Sequence, residues 1–547
     1  FYLNGQKLFI RGLDRHQNFP YVGYAAPKHL QEEDARILKE ELACNAVRTS
    51  HYPQSHWFIN ACDRLGLLVF TEIPGWQHIG GEAWQDIAVE NVREMILQYR
   101  NHPSIFMWGV RINESQDDHE FYTRTNTLAR QLDMSRPIGG VRYIKKSELL
   151  EDVYTFNDFI HDGVSPATSK KKNVTTDMSK GYLISEYNGH MYPTKAFDDE
   201  PHRTEHALRH ARVLDSVALD DEIAGSFGWC MFDYNTHRDF GSGDRICYHG
   251  VTDMFRNPKV AAYVYRAQSD EGTVLEVSSS MDIGEYPGGL FKNIYIYSNA
   301  DLVKVYRNGR QIALYCTSAA AREKLENSGE YKEISNYSSF KNLSHGPVYM
   351  NDFIGNRLTE DEGLSKRVAN AVKKLLMDAL ENGMDHLSLS AKLTAARLML
   401  FHGFKIEDGV RLYSKYVSGW GENANVFTFE AIKDGDVVKT VTKGATTKPR
   451  IEAAADHTVL VEETTYDAAL VRITARDDYG NVLPYCQDPL KLETEGPIEL
   501  VGPDMISFKG GMTGTIVKTT GEPGTGKLKI TDNRGNEAVI RFDVRLG

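Results

Sequence analysis

The stretch that decides the fold runs from Asn101 to Glu114 and reads NHPSIFMWGVRINE. Its apolar centre is short, comes after a segment with a helical pattern and ends in two polar residues. This arrangement is typical of a buried strand in a parallel sheet. The same pattern recurs at Leu8–Leu13, Asn45–Ser50, Leu67–Glu72, Pro137–Arg142, Val153–Asn157, Tyr182–Glu186 and Gly225–Phe232, with helical patterns such as Leu30–Leu42, Trp84–Tyr99 and Glu205–Leu219 in between. Eight strands in roughly 250 residues predict a (β/α)8 barrel over residues 1–268.

Polar side chains follow most of these runs. They are Arg15-His16, Arg48–His51, Glu72, Asn113-Glu114, Asn157, Glu186 and Asp233. In a barrel of this kind the carboxyl ends of the strands carry the active site. The set is therefore a candidate site by position, although any single member is equally consistent with a simple strand terminus.

After about residue 268 the pattern changes to short alternating strands joined by turns such as Asn308-Gly309. We predict a β-sandwich module from residues 269–316 plus 427–445, a helical insertion over 317–426, and a C-terminal immunoglobulin-like sandwich over 446–547. The predicted class is thus α/β and all-β multidomain: a TIM barrel followed by immunoglobulin-like β-sandwiches with a helical insertion.

The composition narrows the function classes. The chain has 547 residues, is 41% hydrophobic and carries a net charge of −12, which is the profile of a globular protein. It has no apolar run long enough for a membrane span and no block of basic residues, so neither a membrane nor nucleic acid is an expected partner. Its six cysteines form no Cys-x-x-Cys pair, and we expect buried free thiols rather than disulfides or a structural zinc site.

Two glutamates stand out by position. Glu114 and Glu186 each follow an apolar strand run, where a carboxylate is costly to bury without a partner or a chemical role. Paired carboxylates at the mouth of one barrel indicate glycoside hydrolysis, in which one carboxyl group protonates the leaving oxygen and the other attacks the anomeric carbon. The chain has 75 acidic residues, so spacing alone is weak evidence.

Four ordered motifs are more specific. They are Leu3-Asn4-Gly5 with Ile10-Arg11-Gly12 and Arg15-His16, then Asn45–Pro53, then Asn101–Ile105 with Trp108 and Asn113-Glu114, and finally Ser185-Glu186-Tyr187. Over residues 1 to about 265 they resemble, in order, the catalytic barrel of glycoside hydrolase family 2. The C-terminal sandwiches resemble the accessory modules of its bacterial β-galactosidase-like members.

The resemblance implies a retaining mechanism. Glu114 is then the general acid/base at the end of strand four, and Glu186 is the nucleophile at the end of strand seven. Their carboxyl groups are expected about 5–5.5 Å apart. Asn113 is expected to hydrogen-bond the sugar 2-hydroxyl, Arg48 to pair with Glu186 and keep it ionised, and Tyr187 to hydrogen-bond Glu186.

Four further residues are candidates for sugar binding: His16, His51, Trp229 and Asn157. The resemblance implies that the two histidines contact sugar hydroxyls and that Trp229 forms the floor of the sugar site. The alternatives are histidines that cap strand ends and a tryptophan of the core. Asn157 follows the sixth predicted strand.

The sequence departs from the family at three places. The segment Trp108–Glu114 is one residue longer than in the best-known β-galactosidases, which predicts a bulge and requires a partner for Arg111. Trp76 stands where those enzymes have a magnesium-binding glutamate, so we predict no catalytic metal and assign Trp76 to a wall of the sugar or aglycone site. Cys247 and His249 stand where the family's β-glucuronidases have asparagine and lysine, which argues against a glucuronide. His249 joins the substrate-binding candidates.

The sequence therefore predicts a retaining exo-β-glycosidase that hydrolyses terminal β-D-galactosides. Two alternatives stay open: a β-glucuronidase or other uronide or modified-galactoside hydrolase, with Lys195 or Arg238 facing the acidic group, and a non-catalytic sugar-binding scaffold. We expect a carbohydrate substrate, no cofactor, and C-terminal modules available for homo-oligomer contacts; a flavin nucleotide bound there is left open. The start at Phe1 leads us to expect preceding sequence, and the resemblance implies a bacterial source, with the localisation open between cytoplasm and periplasm.

Overall fold

The computed structural model of the chain describes residues 1–238, 240–241, 243–285, 291–417, 425–446 and 448–547. The helical insertion predicted over 317–426 lies outside the described residues at 418–424, and the predicted C-terminal module does so at residue 447. We retain the predicted module boundaries as a proposal.

The first half of the chain folds into a parallel barrel. Its strands are β1 (Ile10–Asp14), β2 (Ala46–Thr49), β3 (Leu68–Glu72), β4 (Ile105–Gly109), β5 (Ile138–Gly139 and Val141–Arg142), β6 (Val153–Asn157), β7 (Gly181–Tyr187) and β8 (Gly225–Gly228). Strands that are consecutive in sequence lie next to each other in the sheet, and β8 pairs with β1. Gly140 interrupts β5, whose first half pairs with β4 and whose second half pairs with β6, so the barrel is nearly closed. The predicted eight-stranded barrel is confirmed.

Helices surround the barrel because their apolar faces pack on the outer surface of the strands. They are α1 (Lys28–Arg36, continued by a π-helical turn over Ile37–Glu41), α2 (His56–Leu65), α3 (Glu82–Tyr99), α4 (His119–Leu132), α5 (Lys171–Val174), α6 (Glu200–Leu219) and α7 (Ala262–Arg266). Side chains of Ser55, Asp118 and Asp199 cap α2, α4 and α6. In the part of the chain that the structure describes, no helix has the length and apolar character to cross a membrane.

A first β-sandwich follows the barrel, with its own apolar core between two sheets. One sheet contains Leu275–Val277, Tyr295–Ser298 and Val348–Tyr349; the other contains Asn336–Tyr337, Arg310–Cys316, Leu302–Arg307, Phe427–Lys433 and Asp436–Lys443. Helices α8 (Ala319–Ser328), α9 (Arg357–Glu360), α10 (Lys366–Asn382), α11 (Leu389–His402) and α12 (Ile406–Tyr416) lie within the predicted insertion. Two short strands of the sandwich lie there as well, so that segment is not wholly helical.

A second β-sandwich ends the chain around a separate core. One sheet contains Arg450–Ala455, Ala468–Arg476, Met512–Thr519 and Ile498–Leu500. The other contains Val459–Glu462, Glu537–Leu546, Gly524–Asp532, Pro489–Glu495 and Met505–Ser507. The predicted fold class, a barrel followed by β-sandwiches, is confirmed. All six cysteines are buried and unbridged, as the sequence predicted.

The second sandwich docks on the barrel beside α1. Phe19 and Leu30 of the barrel share an apolar cluster with Leu470 and Ile516 of the sandwich. Polar contacts flank this cluster: His29 Nδ1 lies 2.5 Å from Asp467 Oδ1, and Arg472 donates to Glu41 Oε2 at 2.9 Å. The second sandwich therefore packs directly against the amino-terminal part of the barrel.

Candidate active site

The two candidate catalytic glutamates lie at the carboxyl ends of β4 and β7 and face one amide. Asn157, the last residue of β6, donates from Nδ2 to Glu114 Oε1 at 2.9 Å and to Glu186 Oε2 at 3.2 Å. Those two oxygens are therefore no farther apart than the sum of these distances. The two carboxyl groups therefore open onto the same pocket.

Arg48 is the buried cation of the site. Its Nη1 donates to Asp14 Oδ1 at 3.1 Å and to Glu186 Oε2 at 3.3 Å, while Nε and Nη2 hold the two oxygens of Glu72 at 3.0 and 2.8 Å. A further bond from Nη2 reaches Asn113 Oδ1 at 2.9 Å. The guanidinium of Arg48 thus donates hydrogen bonds to three carboxylates. Its pair with Glu72 has the most favourable geometry because that pair is bidentate.

Burial is the main influence on the protonation of Glu186. Burial, followed by the charges of Asp14 and Glu114, raises the pKa of Glu186 well above its ordinary range, and Arg48 only partly opposes the shift. Burial and Glu72 likewise raise the pKa of Asp14. The predicted pairing of Arg48 with Glu186 is present, but burial and the charges of Asp14 and Glu114 outweigh its effect on the pKa of Glu186.

Glu114 receives two donors from the loop after β3. Trp76 Nε1 lies 3.1 Å and Gln77 Nε2 lies 3.2 Å from Glu114 Oε2. Trp76 is 45% exposed, and its ring meets Phe240 edge-on at 5.2 Å. The indole therefore has an open face at the pocket and a polar edge on Glu114.

Strand β4 contains an irregularity of the kind predicted, because its register with β3 shifts by one residue between Ile105 and Met107. This shift lies ahead of the predicted place, the segment Trp108–Glu114. The strand ends at Gly109, so the residues that lead to Glu114 lie in the loop that follows it. Arg111 has the partner that its burial requires: Nη2 donates to Asp117 Oδ1 at 2.6 Å, and the guanidinium stacks 4.6 Å from the ring of Tyr122.

The other sugar-binding candidates surround Trp229. The ring of His51 stacks on Trp229 at 5.5 Å, and His16 meets it edge-on at 5.3 Å. Burial lowers the pKa of both histidines, so both rings are neutral at neutral pH. Trp229 is 2% exposed, and its Nε1 has no hydrogen-bond partner among the described residues. Little of the ring is open to a ligand in this conformation.

Tyr187 lies on the opposite face of the barrel wall and does not contact Glu186. Its hydroxyl oxygen is 2.5 Å from that of Tyr265 on α7, within the core between barrel and helices. The register of β7 with both neighbouring strands is irregular beside Glu186, so Glu186 faces the pocket while Tyr187 packs in the core outside it. The expected hydrogen bond to Glu186 is therefore wrong.

His249 closes the side of the pocket near His190. It is 5% exposed, and its ring lies 4.9 Å from that of His190. Burial, then the charges of His190 and Lys259, lowers the pKa of His249 to about 3. Lys259 is itself paired with Asp233 at 2.6 Å. Neither residue offers an uncommitted positive charge to a ligand.

Two residues of the site were not among the sequence candidates: Asp14 and Gln77. Asp14 ends strand β1, which is the signal that selected Glu72 and the other candidates at strand ends. Gln77 lies in a loop, at a left-handed φ of 59°, and only the tertiary structure brings it to Glu114. Gly189 leaves room for Glu186 because it has no side chain: a Cβ at this position would lie 2.4 Å from Glu186 Oε1.

Comparison with known proteins places these findings in context. Residues 1–271 match the family model described as glycosyl hydrolases family 2, TIM barrel domain. The chain is 42% identical over 515 residues to a β-galactosidase of Thermoanaerobacterium thermosulfurigenes, covering 93% of this chain and 62% of the relative. It is 34% identical over 302 residues to a β-glucuronidase of Bacteroides fragilis, covering 49% and 42%.

Among solved structures, a β-glycosidase from Bacteroides vulgatus aligns with a TM-score of 0.66 at 18% identity, over 99% of this chain and 65% of that one. At that identity the likeness concerns the fold. The chain spans about three-fifths of the length of the curated β-galactosidases that it matches.

Proposed function

Because the chain belongs to glycosyl hydrolase family 2, we propose that it is the catalytic part of a retaining exo-β-glycosidase that hydrolyses terminal β-D-galactosides. The observation that carries the proposal is the single amide of Asn157 between the oxygens of Glu114 and Glu186. Two carboxyl groups this close suit a nucleophile and an acid/base that act on the same glycosidic bond.

In the first step, Glu186 attacks the anomeric carbon while Glu114 gives its proton to the departing glycosidic oxygen. The bond to the aglycone breaks, and the sugar is held as an ester of Glu186. In the second step, Glu114 takes a proton from water, the water oxygen attacks the anomeric carbon, and Glu186 leaves as a carboxylate. The anomeric configuration is retained because it is inverted twice.

The remaining contacts suit this sequence of steps. Asn113 is held by a hydrogen bond from Arg48, and we assign it to the sugar 2-hydroxyl. Trp76 donates to Glu114, and we assign its exposed ring, which offers an apolar surface, to a wall of the sugar or aglycone site. Glu186 must lose its proton before it attacks, so the raised pKa sets a lower pH limit for activity.

The charge distribution favours a neutral sugar over a uronide. A sugar carboxylate needs a fixed cation, whereas His249 is neutral and Lys259 is paired with Asp233. The high similarity to a β-galactosidase over most of the chain supports the same choice.

The test uses the two activated 2-deoxy-2-fluoro glycosyl fluorides, β-galactosyl and β-glucuronyl, with protein expressed from its complete gene. Intact mass and peptide mapping then locate the adduct. We expect a galactosyl adduct on Glu186. A glucuronyl adduct would keep the mechanism and overturn the substrate, and no adduct on folded protein would contradict the proposed activity.

Two matched variants assign the roles. Glu186→Gln should form no adduct, because the attacking carboxylate is gone. Glu114→Gln should still form it, because fluoride leaves without an acid, but should release the sugar slowly because no base activates water. Equal behaviour of the two variants would show that the roles are misassigned.

A further inference from the structure

Three metal-ligating side chains meet beside the proposed sugar pocket. His190 follows β7, while Cys247 and His249 lie in and after the short strand Ile246–Cys247, which pairs with Tyr234–Asn235. One ring nitrogen of each histidine and the sulfur of Cys247 all lie within 4.8 Å of one another. Cys247 Sγ is 3.2 Å from His249 Nδ1.

One ring nitrogen of this cluster is buried without a partner. His249 Nε2 is buried and has no hydrogen-bond partner among the described residues. A buried ring nitrogen left unpaired costs free energy, and such atoms in native structures normally have a partner. Cys247 and His249 are 1% and 5% exposed, whereas His190 is exposed and gives an ion access from solvent.

We propose that His190, Cys247 and His249 form a binding site for Zn²⁺ at the edge of the sugar pocket. A thiolate with two imidazoles is a donor set that suits Zn²⁺ and not Mg²⁺ or Ca²⁺, which require oxygen ligands. Ion-to-ligand distances of about 2.0–2.3 Å put tetrahedral ligands about 3.3–3.6 Å apart. The observed separations need shifts of only about 1 Å to reach this geometry.

Binding replaces a proton on Cys247. Without a metal, a cysteine side chain carries its thiol proton at neutral pH. The sulfur–metal bond forms as the proton leaves to solvent. Three protein ligands leave the fourth position for a water molecule. This binding does not depend on the proposed hydrolase activity.

A second cluster of the same residue types serves as the comparison. His29, His457 and Asp467 also lie within ligating distance, but their polar atoms are paired with one another and with Asp456. Burial opposes the charge of His457, yet Asp456 and Asp467 outweigh it and raise its pKa to about 10. A protonated imidazole has no lone pair for a metal, so we expect no ion there.

The test is titration of the full chain with Co²⁺, followed by absorbance. We expect one equivalent to produce a thiolate-to-cobalt charge-transfer band in the near ultraviolet, which Zn²⁺ then abolishes. Cys247→Ser should remove the band and weaken binding by more than the 10–100-fold, roughly, that loss of an outer-shell partner costs. Cys486→Ser and His457→Gln should leave the charge-transfer band and the binding affinity unchanged.

X-ray absorption of the wild-type protein with Zn²⁺ tests the same point without a variant. We expect one sulfur at about 2.3 Å and nitrogen or oxygen ligands at about 2.0 Å. A zinc shell without sulfur would overturn the proposal. So would the absence of a charge-transfer band on folded protein, or a band that persists in Cys247→Ser.

Discussion

Replacing Asp14 by asparagine should lower the pH at which the proposed enzyme becomes active. Asp14 is buried and shares Arg48 with Glu186, and its charge is the second cause, after burial, of the raised pKa of Glu186. The amide keeps the shape of the side chain and an oxygen for Arg48. It removes one negative charge from beside the nucleophile and leaves more of the guanidinium to Glu186.

The magnitude follows from the distances. Arg48 Nη1 is 3.1 Å from Asp14 Oδ1 and 3.3 Å from Glu186 Oε2, so the two oxygens are at most about 6 Å apart. At an effective dielectric constant of about 20, two charges at that distance repel by about 3 kcal/mol, or about 2 pH units. Burial also raises the pKa of Asp14, so only part of this charge is present in acid, and we expect about 1 unit.

The assay is kcat/KM for p-nitrophenyl β-D-galactoside as a function of pH. Glu186 must be ionised to attack, so the acid limb of the profile follows its pKa in the free enzyme. With Asp14→Asn that pKa falls, and the limb should move to lower pH by about 1 unit. The basic limb should stay in place.

The control is Asp352→Asn, which makes the same change at a buried aspartate of the first sandwich that pairs with Lys373. Its profile should match the wild type. An acid limb of Asp14→Asn that is unmoved, or shifted to higher pH, would refute the charge coupling between Asp14 and Glu186. Circular dichroism establishes that the variant is folded, since the buried Oδ2 of Asp14 has no partner among the described residues and an amide there is left unpaired.

Three further changes probe other parts of the structure. Trp76→Phe keeps the ring but removes the donor to Glu114, and kcat should fall about 10-fold, as for a lost hydrogen bond to a charged group; an unchanged kcat would contradict this role. Gly189→Ala puts a methyl group 2.4 Å from Glu186 Oε1, so kcat/KM should fall at least about 10-fold while the melting temperature changes little. Activity within twofold of wild type would disprove the close approach. The raised pKa of His457, about 10, stabilises the fold fully below its unfolded value of about 6.5 and progressively less as the pH rises toward 10. Urea unfolding should therefore show His457→Gln to be about 1–3 kcal/mol less stable at pH 6, with a difference that shrinks toward pH 10; a difference independent of pH would refute the ion pairing.

The barrel and its two glutamates were predictable because strand pattern and position carry that information locally. The apolar run before Glu114 and the one before Glu186 become strands β4 and β7, and both carboxylates reach one pocket. The direction of Tyr187 was not predictable, because β7 has an irregular register with both neighbouring strands beside Glu186. The division of Arg48 among three carboxylates was not predictable either, because their side chains come from strands far apart in sequence. The bonds of Trp76 and Gln77 to Glu114 likewise depend on loop geometry that no local pattern specifies.

The docking of the second sandwich beside α1 has a consequence during synthesis. His29 and Asp467, which join the two units, are 438 residues apart in the chain. At about 5–20 residues per second, a ribosome needs roughly 20–90 s to produce the second after the first. For that interval Phe19 and Leu30 have no sandwich to cover them, although the barrel can already be forming. The barrel therefore presents an apolar patch to neighbouring nascent chains, and the module that covers it is synthesised only after the barrel and the first sandwich.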